Sequence, residues 1–275
     1  MPVGAPKSPE GPEVKRNTDF LNRELTGKMI EEIEILSGRY EKHSPFEGYS
    51  EMSNKMLIIS EVSCKGKFIY FKFQDGTSLW CTLGMSAAWQ KKKTKHSRVY
   101  LKTNYGNEVY FNDIRNFGTL KYVETEKELR EKLETLGPDV LSSYVDTELF
   151  KSRLDKKPKW TIARALMDQS VLSGIGNYLK AEILYACKIS PHRLCQDLTQ
   201  EDIELLAEKS FEITNASYRL GGATIMTYRD ENNEKGLYSR RFMVYNHKTD
   251  PLGNKVLKET TEDKRSTFWV PEIQK

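Results

Sequence analysis

Pro9-Glu10-Gly11-Pro12-Glu13-Val14 stands eight residues into a chain of 275. A proline with a free amine is a secondary-amine nucleophile that forms an iminium with an aldehyde; a proline inside a chain has only an amide nitrogen without a basic lone pair. Working outward, the apolar spacing over residues 12–25 predicts a helix, with Pro12 tolerated in its first turn. Residues 1–8 are small, polar and proline-containing and read as a flexible leader. No methionine lies between Met1 and Pro9, so internal initiation does not expose that amine.

Downstream, residues 28–123 are rich in strand formers. Lys67-Phe68-Ile69-Tyr70-Phe71-Lys72-Phe73 ends in the turn signal Gln74-Asp75-Gly76. Val99–Thr103 and Glu108–Phe111 flank Asn104-Tyr105-Gly106-Asn107 as a hairpin. Such spacing predicts a β-sandwich or barrel-like domain. The pattern changes near residue 124. Glu124–Leu136 is an amphipathic helix stopped by Gly137-Pro138, and helices are predicted over 145–156, 159–171, 177–187 and 200–217. Thr199 with Asp202 forms a capping box for the last. Leu172-Ser173-Gly174-Ile175-Gly176-Asn177 precedes a helix, and its glycines can leave N–H groups exposed as a phosphate clamp; taken alone, the same residues favour an ordinary interhelical turn. Residues 241–275 are β-like and polar, with a turn at Pro251-Leu252-Gly253-Asn254.

With 38% hydrophobic and 30% charged residues the chain has a workable core, and no run of about 18 apolar residues predicts a membrane span. The balance of 43 basic against 39 acidic residues makes any nucleic-acid footprint a matter of distribution. Basic residues cluster at Lys91–Arg98 and Lys151–Lys159. Cys64, Cys81, Cys187 and Cys195 form no C-x-x-C pair and are expected reduced in an intracellular protein.

Taken in order, several pieces resemble the formamidopyrimidine-DNA glycosylase and endonuclease VIII family. They are Pro9–Val14, Gly66-Lys67, Leu83-Gly84-Met85-Ser86, Asp113–Gly118, Leu136–Asp139, Leu166–Gln169, Gly174–Asn177 and Arg265-Ser266-Thr267. The resemblance implies an α+β fold: an N-terminal β-sandwich with flanking helices, a helical domain with a helix–two-turns–helix motif, and a C-terminal β-hairpin finger. The expected division is a leader (1–8), a catalytic sandwich (9–137), a linker (138–148), a DNA-binding helical domain (149–240) and the finger (241–275).

It further implies a bifunctional DNA glycosylase and abasic-site lyase. The amine of Pro9 attacks C1′ of the damaged nucleotide, and β- and δ-elimination follow from the Schiff base. A terminal amine has a pKa of roughly 8, so much of it is unprotonated near neutrality. Glu10 exchanges protons with the deoxyribose oxygen. Lys67 contacts phosphate and assists β-elimination, and Arg265 orients the flipped nucleotide's phosphate. Met85, Arg115 and Phe117 fill the space vacated by the flipped base, and Asn177 supplies a phosphate donor. By residue type alone Met85 and Phe117 read as core.

The departures from the family pattern also carry information. Asp250–Asn254 and Val270–Gln274 stand where zinc-bearing members have two C-x-x-C pairs, so the finger resembles the zincless form and no metal or other cofactor is expected. Packing of Phe242, Val256, Phe268 and Trp269 is expected to hold it. Ala163 replaces a phosphate-binding lysine, with Arg164 and Lys159 as candidates to compensate. Gly221–Ile225 resembles a loop that caps 8-oxoguanine, whereas Gly11 and the zincless finger lean towards endonuclease VIII. The expected partner is double-stranded DNA carrying oxidised bases or abasic sites, the expected state a monomer without membrane attachment, and the expected location the nucleus or another DNA-containing compartment. The leader is expected to be removed. Two alternatives are a damaged-DNA-binding protein without catalysis, and a lyase in which Lys67 replaces Pro9.

Overall fold

A computed structural model describes residues 6, 8–142, 145–223 and 234–275. Most of the leader, part of the expected linker and the Thr224-Ile225 end of the Gly221–Ile225 loop lie outside the described residues.

Helix α1 (Gly11–Leu25) carries Val14, Phe20, Leu21 and Leu25 on its buried face. Eight strands follow: β1 (Ile30–Ile35), β2 (Ile59–Lys65), β3 (Phe68–Phe73), β4 (Ser78–Thr82), β5 (Ala87–Gln90), β6 (Ser97–Thr103), β7 (Glu108–Asp113) and β8 (Thr119–Val123). Short helices α2 (Arg39–Lys42) and α3 (Tyr49–Ser53) separate β1 from β2. The strands form two antiparallel four-stranded sheets, ordered β1-β6-β7-β5 and β2-β3-β4-β8.

Inward and outward residues alternate along β6, as a half-buried strand requires. By contrast β3 is buried on both faces. Its inner residue Phe71 meets Trp89 of the opposite sheet with ring centroids 5.7 Å apart, and Trp89 meets Phe111 at 5.1 Å. Its outer residues Phe68 and Tyr70 pack with Leu129 and Leu136, in and after α4 (Glu126–Thr135). That second layer explains why Lys67–Phe73 reads as a nearly unbroken apolar run. Asn17 of α1 accepts from the Trp89 N–H at 2.9 Å and donates to its carbonyl at 2.8 Å, fixing the helix to the β5 edge.

The rest is helical: α5 (Thr147–Asp155), α6 (Ile162–Met167), α7 (Asn177–Cys187) and α8 (Gln200–Arg219). The Thr199–Asp202 capping box is present, at 3.2 Å and 2.9 Å. Helix α6 is shorter than the predicted 159–171. Asp168 accepts from both the N–H and the hydroxyl of Ser170, a local turn that competes with helix continuation. Residues 241–275 hold only two short strands, β9 (Leu257–Thr260) and β10 (Ser266–Trp269), paired antiparallel. All four cysteines are free thiols, and burial pushes Cys64 and Cys81 up to about 12. In the basic runs, Lys91 pairs with Glu24, Lys151 with Asp155 and Lys157 with Asp168, so these lysines serve local ion pairs.

Trp89 is fully buried where the two sheets and α1 meet. Trp89→Ala is expected to lower unfolding stability by about 3–5 kcal/mol in a denaturant titration. A loss below about 1 kcal/mol means that this ring is not the centre of the core.

Candidate active site

Glu10 joins the two halves of the molecule. It precedes the first turn of α1 and is almost fully buried. Its carboxylate accepts from the N–H groups of Gly176 (2.9 Å), Tyr178 (2.9 Å) and Leu179 (3.1 Å), the unpaired donors at the start of α7. A side chain at position 176 would overlap the Glu10 carboxyl carbon, so glycine there permits the approach. Burial raises the Glu10 pKa to about 6, against the lowering effect of the Lys67 cation and of the three N–H donors. The glycine N–H groups read as a phosphate clamp are therefore occupied: Gly176, with Tyr178 and Leu179 beyond it, serves Glu10, and Gly174 serves the Gln169 side chain at 2.9 Å. The reason is tertiary, because an internal carboxylate fills the anion site at this helix terminus.

Around Glu10 a cleft of about 1020 Å³ is lined by Ser8, Lys67, Met85, Asn177 and Arg265. Pro9 is buried between Ser8 and Glu10, and in this chain its nitrogen is acylated by Ser8. Lys67 is the second residue of the tight β2–β3 turn, where the Gly66 N–H donates to the Asp139 carboxylate at 2.9 Å. Burial lowers the Lys67 pKa, opposed by Glu10 and Glu13 and assisted by Arg265. Arg265 is exposed at the end of the β9–β10 turn. The amide of Asn177 donates to the Ser266 carbonyl at 2.9 Å, so that side chain ties α7 to the finger. Four finger lysines, Lys248, Lys255, Lys258 and Lys264, also line the cleft. With Lys67 and Arg265 they make six cations against the single carboxylate of Glu10, far from the chain's near balance of 43 to 39. These lysines are spaced along the finger and form no continuous run, which hides them from a linear reading.

Met85, Arg115 and Phe117 lie on two adjoining loops. Gly84 has φ +57°, and a Cβ there would stand 2.7 Å from the Phe117 carbonyl oxygen, so the β4–β5 and β7–β8 loops touch backbone to backbone. Asp113 holds the second loop, accepting from the Ser86 hydroxyl (2.6 Å), the Arg115 N–H (3.1 Å) and the Gly118 N–H (2.7 Å). The Arg115 guanidinium sits 4.8 Å from the Phe117 ring centroid, and Phe117 is 51% exposed. Met85 is half-buried in the cleft wall. The residue-type expectation that Phe117 and Met85 belong to the core does not hold, since the loops carry both away from it.

Glu13 had no role read from sequence. Fully buried, its carboxylate accepts from the Glu10 N–H (2.7 Å), the Ala223 N–H (2.6 Å) and the Tyr178 hydroxyl (3.1 Å), and burial lifts its pKa to about 7. The finger's anchors were also hidden. Phe242, Val256 and Phe268 are buried and Trp269 partly so, but polar groups hold the hairpin as well. Asp263 in its turn makes a buried ion pair with Lys180 of α7. Glu262 accepts from the Thr161 N–H and hydroxyl and pairs with Arg164, each at 2.8 Å. Glu182 accepts from the N–H groups of Met243, Val244 and Tyr245. In the two stretches that the resemblance aligns with zinc-binding pairs, Asp250 gathers the N–H groups of Leu252 and Asn254, and Gln274 bridges the Val270 N–H and the Ile189 carbonyl. Among the described residues no three His, Cys, Asp or Glu side chains cluster to hold a metal. Arg164, stacked 3.7 Å from the Trp160 ring and bonded to Glu262, braces the finger.

Three family models match the chain: the formamidopyrimidine-DNA glycosylase N-terminal domain at residues 8–120, its H2TH domain at 136–229 and its C-terminal domain at 238–275. A formamidopyrimidine-DNA glycosylase of Desulfitobacterium hafniense is 31% identical, over 88% of this chain and 90% of that protein. One of Ureaplasma parvum is 29% identical, over 97% and 99%. The MutM (Fpg) protein of Thermus thermophilus superposes with a TM-score of 0.83 at 26% identity, covering 97% of this chain and 98% of that one. A Lactococcus lactis Fpg bound non-covalently to DNA containing an abasic site gives 0.80 at 26% identity, covering 97% and 99%.

Two outcomes are expected. Glu10 and Glu13 titrate at higher pH in the folded than in the unfolded chain, so the folded state binds more protons between about pH 4.5 and 7. Their contribution therefore falls as pH rises through that window, on the order of 3 kcal/mol for Glu13. Denaturant unfolding of Glu13→Gln across this range should show a flatter pH dependence than the parent; an unchanged slope refutes the assignment. Separately, Lys180→Met leaves Asp263 buried without its cation and should cost about 3–5 kcal/mol in the same assay.

Proposed function

The chain belongs to the formamidopyrimidine-DNA glycosylase family, and on that basis we propose that it is a base-excision DNA glycosylase that removes oxidised bases. One observation carries this reading beyond the family: Glu10, Lys67 and Arg265 line one cleft whose cations outnumber its carboxylates six to one. A polyanionic backbone is attracted to such a cleft, and its affinity falls as salt rises. The exposed Arg115–Phe117 pair with Met85 suits insertion into the duplex when a nucleotide is swung out.

In the chemistry we propose, the freed Pro9 amine bonds to C1′ as the N-glycosidic bond breaks, and the base leaves with that electron pair and a proton. Glu10, with a pKa near 6, protonates the ring oxygen as the sugar opens to an iminium. Loss of a C2′ proton then expels the 3′ phosphate, Lys67 being the nearby amine of lowered pKa. Arg265 orients the remaining phosphate for the second elimination, and water hydrolyses the iminium. This route requires that residues before Pro9 be removed, because an acylated nitrogen has no lone pair to donate.

A second reading rests on the same geometry. Lys67 lines the cleft with a pKa lowered by burial, so the uncut chain has an amine able to form a Schiff base on an abasic site.

Borohydride trapping distinguishes these. A chain beginning at Pro9 should give a covalent adduct with an 8-oxoguanine duplex, mapped to Pro9, while the uncut chain should give none. Glu10→Gln in the processed chain should slow base release by about 10²–10⁴-fold. An adduct at Lys67 of the uncut chain on abasic DNA supports the second reading. Salt-sensitive binding with no adduct from either chain leaves a damaged-DNA-binding protein and refutes the enzyme.

A further inference from the structure

A second cavity, of about 750 Å³, lies on the outer face of the β2-β3-β4-β8 sheet, beneath residues 39–47 and beside the end of α4. Its volume falls in the range of small-ligand sites. Phe68 and Trp80 form its wall from the sheet, their rings edge to face at 5.4 Å, and Tyr40 and Phe46 close it from the opposite side. The Trp80 indole N–H is already satisfied by the Ser78 hydroxyl at 2.9 Å, so the ring needs no further polar partner when its face is covered.

The charge of this cavity is one-sided. Arg39, Lys65, Lys67, Lys121 and Lys132 line it against one carboxylate, Glu47, which Lys121 already neutralises at 2.8 Å. Arg39 and Lys132 have no carboxylate partner among the described residues. Arg39 lies 4.8 Å from the Tyr40 ring and donates to the Gly118 carbonyl (2.7 Å) and the Tyr40 hydroxyl (2.9 Å), which hold it in place; Lys132 lies 5.5 Å from the Phe68 ring and Lys121 5.7 Å from the Trp80 ring. Aromatic walls stack a planar ring, and cations without a carboxylate partner beside them neutralise phosphate; nucleic-acid sites that read no sequence combine these two elements. Lys67 lines both this cavity and the catalytic cleft, so the two spaces meet at one side chain.

We propose that this cavity is a nucleotide site, taking a base against Trp80 and its phosphate among Lys132 and Arg39. The nucleotide comes either free from solution or as an unpaired residue of a DNA strand leaving the cleft. Neither Trp80 nor Lys132 belongs to the proposed catalytic machinery, so the free source is independent of the glycosylase reading, whereas the strand source rests on the cleft holding DNA.

The test compares the parent with Trp80→Leu and Lys132→Glu, with thermal melting confirming that each folds. Calorimetric titration with adenosine monophosphate measures the free source. Binding to an undamaged duplex, blunt or bearing a single-stranded tail, measures the strand source without any need for cleavage. Saturable monophosphate binding weakened about tenfold or more by both substitutions supports the free nucleotide, as loss of one stacked base implies. A tail-dependent gain in duplex affinity that both substitutions abolish supports the strand. Binding of the blunt duplex should change less than threefold in either variant. Absence of both effects in the parent, or their persistence in the variants, overturns the proposal.

Discussion

The Glu10 carboxylate on the N-terminus of α7 is the contact on which the rest of the arrangement depends. A helix start has unpaired N–H groups and a partial positive charge, and three of those donors here meet one buried anion. Hydrogen bonds to a charged group contribute about 1.5–3 kcal/mol each, which offsets much of the desolvation that pushes Glu10 to about 6. The same bond set seats the start of α1, from the sandwich side, against the helical side. The Gly11 N–H continues the junction by donating to the Gly174 carbonyl at 2.8 Å. A residue proposed to move protons is thus also the mechanical joint of the molecule, and its titration affects both functions.

The finger shows how a small hairpin is held by polar anchors spread along its length. Two four-stranded sheets hold a shared core, but β9 and β10 together span eight residues and cannot bury one. Lys180 and Glu182, two charges on an otherwise apolar helix, hold the finger at two points: Asp263 in its turn and the N–H groups of residues 243–245 at its base. Glu262 adds a third point at the start of α6. A buried ion pair adds little net stability compared with apolar packing, but it specifies one geometry. Here that geometry presents Arg265, beside the anchored Asp263, to the cleft.

Electrostatically the molecule is nearly balanced as a whole and strongly uneven locally. Six cations face one carboxylate in the cleft and five face one in the neighbouring cavity, within a chain of 43 basic and 39 acidic residues. In the basic runs most visible in the sequence, Lys91, Lys151 and Lys157 are held in ion pairs with nearby carboxylates. The cleft cations come instead from the spaced lysines of the finger and Arg265, with Lys67 from the sandwich, and those of the cavity from four separate segments.

The sequence by itself determined the local elements and their order. Apolar periodicity located α1, α4, α7 and α8 to within a few residues, because those signals depend on backbone geometry and neighbouring side chains. Motif order likewise placed Pro9, Glu10, Lys67 and Arg265 on the list of candidate site residues. Only the tertiary structure decided what the glycine-flanked helix start binds, since Glu10 is some 166 residues away from Gly176 in the chain. It also decided that Glu13 is a buried carboxylate near pKa 7, that Phe117 stands exposed, and that Asn177 and Arg164 serve the finger. Each of those outcomes depends on which distant group desolvates, caps or pairs with a side chain, and that is a property of packing that no local pattern encodes.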